Sequence, residues 1–334
     1  MDLAVETREV TKRFWSWRGI CGVLRGGHDG SRLYRETVAL DGLNLRVPRG
    51  SVYGLLGRNG AGKTTAVQLL MGLLEADTGE VSVLGFDPMK DEVPMKQRVG
   101  HVADGQKMYE FYTVEELCRF CATFYPTWNL AWQNELLDRL DLPRDRRLGE
   151  LSRGTKAQMA LVLALAHEPE LLLMDESTSG LDAVVRRQFL ETLVELSEQA
   201  GRTALISSHI IDDLERVCDW VGILHRGRLI VQQPLDELKG SVQQIRATFA
   251  GAPPEQVGEF AGNLVRSRRR ERELLLTMQG FRADMVEQVR RLGATSVDAV
   301  PLSLEEIFVA YTGPVRRDER LGVAVADATE ESAE

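Results

Sequence analysis

A single short stretch, Gly54-Leu55-Leu56-Gly57-Arg58-Asn59-Gly60-Ala61-Gly62-Lys63-Thr64-Thr65, limits what this chain can fold into. It is a G-x-x-x-x-G-K-[ST] phosphate loop between the apolar run Val52–Leu56 and a helical pattern from Ala66 to Leu74. Glycines let successive backbone N–H groups curl around phosphate oxygens, and a helix N-terminus adds partial positive charge. Such a loop needs a parallel strand before it and a helix after it, so the expected class is α/β. The nucleotide-binding candidates are Gly57, Asn59, Gly60, Ala61, Gly62, Lys63, Thr64 and Thr65. Lys63 is expected on the β- and γ-phosphates and the Thr64 hydroxyl on Mg²⁺.

Downstream, Leu171-Leu172-Leu173-Met174 reads as a strand buried on both faces and ends in Asp175-Glu176. Open α/β sheets bind ligands beyond the carboxyl ends of their strands. Asp175 is therefore a candidate Mg²⁺ holder and Glu176 the candidate that orients an attacking water. Between the two motifs lies Leu151-Ser152-Arg153-Gly154-Thr155, followed by a helical stretch from Lys156 to His167. Ser152 is a good N-cap, and Gly154 leaves N–H groups open at that helix start. After the Asp-Glu pair come Ser179-Gly180-Leu181-Asp182 and a strand-like run, Thr203 to Ser207, leading through Ser208 to His209.

Motifs of these kinds in this order resemble the ATPase subunit of ATP-binding cassette (ABC) transporters over roughly residues 4 to 235. The resemblance implies a P-loop NTPase ABC ATPase domain at about 1–238, with an inserted helical subdomain at about 101–167. It also implies catalytic roles for Glu176 and His209, and nucleotide contacts from Ser152, Gly154 and Asp182. The cofactors implied are ATP and Mg²⁺, and the second ATPase subunit is expected to be an identical copy in a two-fold dimer. Ser152 and Gly154 of one copy would close on the ATP held by Gly57 to Thr64 of the other.

The chain departs from the family pattern in three places. Asp104 stands where a glutamine normally meets Mg²⁺, with Gln106 two residues on, and it adds negative charge near Asp175 and Glu176. Asp104 is kept as a metal candidate. Arg153 and Thr155 replace Gly and Gln of the signature; Arg153 is open to two readings, a cation for phosphate or a solvated side chain. Ser177 replaces a proline and costs loop rigidity.

The adenine-stacking aromatic is blurred by an apparent insertion at about 15–36, rich in Gly and Arg with Trp15, Trp17 and Tyr34. Phe14 precedes it and Tyr34 follows; Phe14 is preferred. A basic-aromatic loop of this kind suits either a solvated hairpin extension or anionic lipid headgroups. Tyr109, Phe111 and Tyr112 open the helical subdomain. Aromatics in a row are commonly core, while by resemblance this neighbourhood receives the coupling helix of a transmembrane partner.

Residues 241–313 alternate strand and helix patterns: strands at 244–250, 273–278 and 295–300, helices at 254–265, 281–292 and 303–311. This reads as a small C-terminal α+β domain. It resembles the accessory domain of the drug, polysaccharide and lipid exporter branch. Residues 314–334 are acidic, poor in large apolar groups, and expected to be a disordered tail.

The formal charge of −9 argues against a nucleic-acid-binding stripe. No leader pattern opens the chain, and no apolar run approaches the ~20 residues that span a bilayer. The expectation is a cytoplasmic protein, peripheral on the inner face of the cell membrane and docked on a separate transmembrane permease. Cys21, Cys118, Cys121 and Cys218 show no metal framework and read as buried free thiols of a reducing compartment. Thr113-Val114-Glu115-Glu116 is a capping box, with Leu117, Phe120, Cys121 and Phe124 along one helix face. The alternatives to an exporter ATPase are a soluble ABC ATPase and a slow-hydrolysing ATP-dependent switch.

Overall fold

A computed structural model describes residues 2–17, 34–254, 264–313 and 319–321. The chain divides into two units, Met1–Gln233 and Pro234–Glu334.

Among its described residues the first unit holds two sheets. In the antiparallel one, β1 (Leu3–Trp17) pairs with β2 (Tyr34–Leu43), β3 (Arg46–Pro48) and β5 (Thr78–Val83). The other has the order β10-β9-β4-β8-β7-β6, built from β4 (Val52–Leu56), β6 (Val99–Val102), β7 (Leu171–Asp175), β8 (Thr203–Ser208), β9 (Trp220–His225) and β10 (Arg228–Pro234). Strands β9, β4, β8, β7 and β6 run parallel, so their carboxyl ends share one edge. All five residues of β4 and of β7 are buried, as unbroken apolar runs require in a sheet covered on both faces.

The helices of this unit are α1 (Lys63–Leu70), α2 (Glu92–Lys96), α3 (Val114–Ala122), α4 (Leu130–Arg139), α5 (Arg153–Leu165), α6 (Ala183–Ala200) and α7 (Ile211–Val217). A core joining Tyr53, Leu55, Val67, Leu70, Leu171, Leu173 and Leu205 fixes α1 against the parallel sheet. The helix after the phosphate loop therefore starts at Lys63 and stops at Leu70, earlier at both ends than the apolar pattern suggests. Helix α5 likewise begins at Arg153, because Ser152 caps it by accepting from Thr155 N at 3.1 Å.

Thr113 and Glu116 form the expected capping box of α3. The buried stripe of that helix is Val114, Leu117 and Cys118, at helical spacing. Phe120 and Phe124 are instead 37% and 60% exposed, and Cys121 is half-buried, which corrects the face read from the sequence. The two phenylalanines continue an aromatic patch with Tyr109 and Phe111, themselves 56% and 63% exposed, and with half-buried Tyr112. After α5, buried His167 stacks on Tyr125 at 4.1 Å, and burial lowers its pKa to about 4.

The 15–36 segment is partly hairpin: Trp15 pairs with Glu36, Ser16 with Arg35 and Trp17 with Tyr34. Residues 18–33, Cys21 among them, lie outside the described residues.

The second unit contains α8 (Leu235–Ser241), α9 (Ala283–Arg290), α10 (Leu304–Thr312) and an antiparallel sheet in the order β14-β11-β13-β12-β15. The strands are β11 (Val242–Phe249), β12 (Leu264–Arg270), β13 (Glu273–Gln279), β14 (Ala294–Pro301) and β15 (Glu319–Leu321). Its core packs Ile245, Leu274, Leu276 and Met278 with Met285 and Val289 of α9. Two expectations are corrected. Residues 264–265, read as the end of a helix, open strand β12, while 255–263 lie outside the described residues. Within the acidic tail, Glu319–Leu321 pairs with β12 as a short strand.

Candidate functional site

The phosphate loop leaves β4 at its carboxyl end. A Cβ on Gly57 would lie 2.9 Å from Leu224 O and 3.0 Å from Ala61 Cβ, and one on Gly62 would lie 2.5 Å from Ala39 O. Gly62 also sits at φ +108°, in the region that favours glycine. It caps α1 with no side-chain hydrogen bond, and no acidic residue occupies the first turn, so that helix start is open to an anion. Thr64, Asn59 and Gly60 are exposed and Thr65 is half-buried.

Lys63 is buried, and its Nζ donates to Gly57 O at 2.7 Å. The same Nζ lies 2.9 Å from Glu176 Oε1, close enough for an ion pair though not aligned as a hydrogen bond. Glu176 Oε2 is 2.5 Å from His209 Nδ1, and His209 N also approaches it at 3.4 Å. The phosphate-loop lysine, the acid at the end of β7 and the histidine after β8 thus converge on one carboxylate. Glu176 holds φ +47°, an uncommon conformation for a residue with a Cβ, and its N–H donates to Ser207 O at 3.0 Å.

Beside it, buried Asp175 accepts from Ser207 Oγ at 2.5 Å. Ser207 has no task in the sequence motif; its signal there is its place near the end of a buried strand beside the Asp-Glu strand. His101 on β6 is half-buried, and desolvation lowers its pKa against the pull of the Asp175 charge.

Thr64 and Asp175 offer only oxygen, the donor chemistry of Mg²⁺. Among the described residues no group of three or more His, Cys, Asp or Glu is arranged to hold a metal unaided. Two oxygen donors suit an ion that keeps several waters and shares phosphate oxygens.

Asp104 leaves the sheet two residues beyond Val102, which pairs with Met174, so it emerges level with the end of β7. Its Oδ1 lies 3.8 Å from Arg153 Nη2. Gln106 lines the same cavity of about 510 Å³, together with Ser177 and Ser179. Arg153 is exposed, as its solvated reading has it, with its guanidinium also lying against Gly180. Ser152 is exposed and half-buried Gly154 packs toward Val185, while Asp182 Oδ1 accepts from Val185 N at 3.0 Å at the start of α6.

Phe14 pairs with Thr37 on β2, two residues before Ala39, whose carbonyl abuts Gly62. It is 40% exposed, with Lys12 Nζ 5.8 Å from its ring centre. Tyr34 stands three residues further from Ala39 along the same strand.

A family profile described as ABC transporter matches residues 40–179. The ABC transporter ATP-binding protein YtrB of Bacillus subtilis is 32% identical over 300 residues, covering 86% of this chain and 96% of that protein. The bacitracin transport ATP-binding protein BcrA of Bacillus licheniformis is 33% identical over 213 residues, covering 63% of this chain and 70% of that protein. A solved ATP-binding cassette, dimeric in a post-hydrolysis state with ADP and Pi, has the same fold with a TM-score of 0.57. It is 21% identical, with 69% of this chain and 98% of that one covered. Among the described residues no helix is long and apolar enough to cross a membrane.

Proposed function

The chain belongs to the family of ABC transporter ATP-binding proteins, and on that premise we propose that it is the ATP-hydrolysing subunit of an exporter, closing as a two-fold dimer on ATP and driving a separate permease. The observation that carries this reading is the convergence of Lys63 and His209 on Glu176, beside Asp175, at the carboxyl edge of the parallel sheet.

In this reading the open first turn of α1 and Lys63 take the β- and γ-phosphates. Glu176 accepts a hydrogen bond from the attacking water and aims it in line, while His209 keeps that carboxylate from turning away. Phosphoryl transfer needs little more from a protein than such positioning and charge. Thr64 and Asp175 are the residues that would hold Mg²⁺, which supplies neutralising charge on the phosphates. Ser152 and Gly154 stand at a second helix start, and an identical copy turned head to tail brings it onto the other nucleotide, as in dimeric cassettes. The exposed aromatic patch of Tyr109, Phe111, Phe120 and Phe124 is the surface that suits a permease helix on the membrane's inner face.

Glu176→Gln keeps the shape of the site and removes the charge. It is expected to bind ATP, to lose turnover, and to sediment as a dimer at saturating Mg-ATP; adding Ser152→Arg should return it to monomer. A Glu176→Gln protein that stays monomeric with ATP bound would contradict the shared-site reading.

A further inference from the structure

We infer that Arg153 is a positioning residue that braces the start of the signature helix, within its own subunit, against the Ser179–Asp182 loop and Asp104. The inference rests on the ATPase reading above and gives a task to two departures which that reading leaves without one.

Three observations meet at this point. A Cβ on Gly180 would lie 2.6 Å from Arg153 Nη1 and 2.7 Å from its Cζ, so the guanidinium rests against backbone that only glycine leaves bare, at φ +73°. The same guanidinium reaches Asp104 Oδ1 at 3.8 Å. Behind it the cavity of about 510 Å³ is floored by Ser177, whose hydroxyl is buried without a hydrogen-bond partner. The loops after β6 and β7 and the start of α5 thus meet around a cavity whose lining mixes Asp104, Gln106 and Ser177 with Ala103, Met108 and Leu181. A charged side chain spanning that space is what holds their spacing.

The two departures then explain one another. Asp104 alone would be a third carboxylate at an edge that already holds Asp175 and Glu176; Arg153 alone would be an uncompensated cation on the signature. Together they are neutral. Both groups are more than half exposed, so the pair adds little stability and its effect is on geometry.

The test uses the full-length protein with Arg153→Gln, Asp104→Asn, the two combined, and the charge swap Asp104→Arg with Arg153→Asp. The readouts are kcat, the KM for ATP, and hydrogen exchange of the peptide covering 177–182. Each single change is expected to lower kcat about fivefold, the upper range for an exposed pair, with KM within about twofold. The swap should recover most of that loss, and exchange at 177–182 should quicken in the singles and slow again in the swap. Should the swap not fold, the neutral double carries the test, because coupled residues give it a loss well below the product of the singles. Additive losses, or unchanged exchange in both singles, overturn the brace. Absence of hydrolysis in the wild type would sink the ATPase reading instead, and the exchange pattern would still decide the brace.

Discussion

Two ion pairs sit at the same sheet edge and differ in almost every respect except sign. Lys63 and Glu176 have side chains 5% and 13% exposed and stand 2.9 Å apart, whereas Arg153 and Asp104 are 64% and 54% exposed at 3.8 Å. Removing one member of a buried pair strands the other charge, which costs several kcal/mol; an exposed pair is worth at most about 1 kcal/mol. On the proposed function the interior pair belongs to the chemistry, and the outer one tunes how loops meet.

The largest effect that would break this contrast concerns Lys63. Lys63→Ala leaves Glu176 Oε1 facing no cation and removes the charge meant for phosphate. Phosphate release should fall by at least about a hundredfold. A near-wild-type rate would mean that the interior pair is not catalytic.

Acid sharpens the contrast from the stability side. The His167 pKa of about 4 lies below the ordinary 6.5 because burial penalises the imidazolium. The unfolded chain binds the proton first as pH falls, so this stabilisation is complete above pH 6.5 and is lost between 6.5 and 4. The loss amounts to about 3 kcal/mol at pH 4. His101 shifts in the same direction for the same cause. Urea unfolding across that range should show a shallower acid limb for His167→Gln than for wild type, with no comparable change on replacing an exposed ion-pair member.

The smallest expected effect on turnover comes from the outer surface. Phe111→Asp with Tyr112→Asp should keep ATPase activity within about twofold, as surface changes far from the chemistry do. The variant should nevertheless leave the membrane fraction in cells where the wild type is retained. A wild type recovered wholly in the soluble fraction would remove the permease from the proposal.

The interior half of the site was readable in the sequence because each piece has a strict local requirement. Gly57 and Gly62 tolerate no Cβ, β4 and β7 are unbroken apolar runs, and Asp175-Glu176 falls at a strand end. Arg153 was not readable. Its setting depends on Gly180 and Asp104, both distant along the chain, and no period or spacing records that meeting. Strand β12 was missed for a related reason. Arg266, Arg268, Arg269 and Arg270 are poor strand formers by composition, yet Val265 to Ser267 are buried by pairing with β13, and tertiary context decides. In α3 the period was right and the phase was not, since Phe120 and Phe124 carry more apolar area than Cys118 yet lie outward.

The left-handed backbone at Glu176 has an evolutionary side. A residue with a Cβ held at φ +47° costs on the order of 1–2 kcal/mol, which glycine would largely recover and asparagine in part. At this position the most comfortable residue lacks the carboxylate, so on the proposed role of Glu176 drift toward a more robust fold is drift away from hydrolysis. On that role, a library of this protein sorted on heat resistance alone would enrich inactive cassettes.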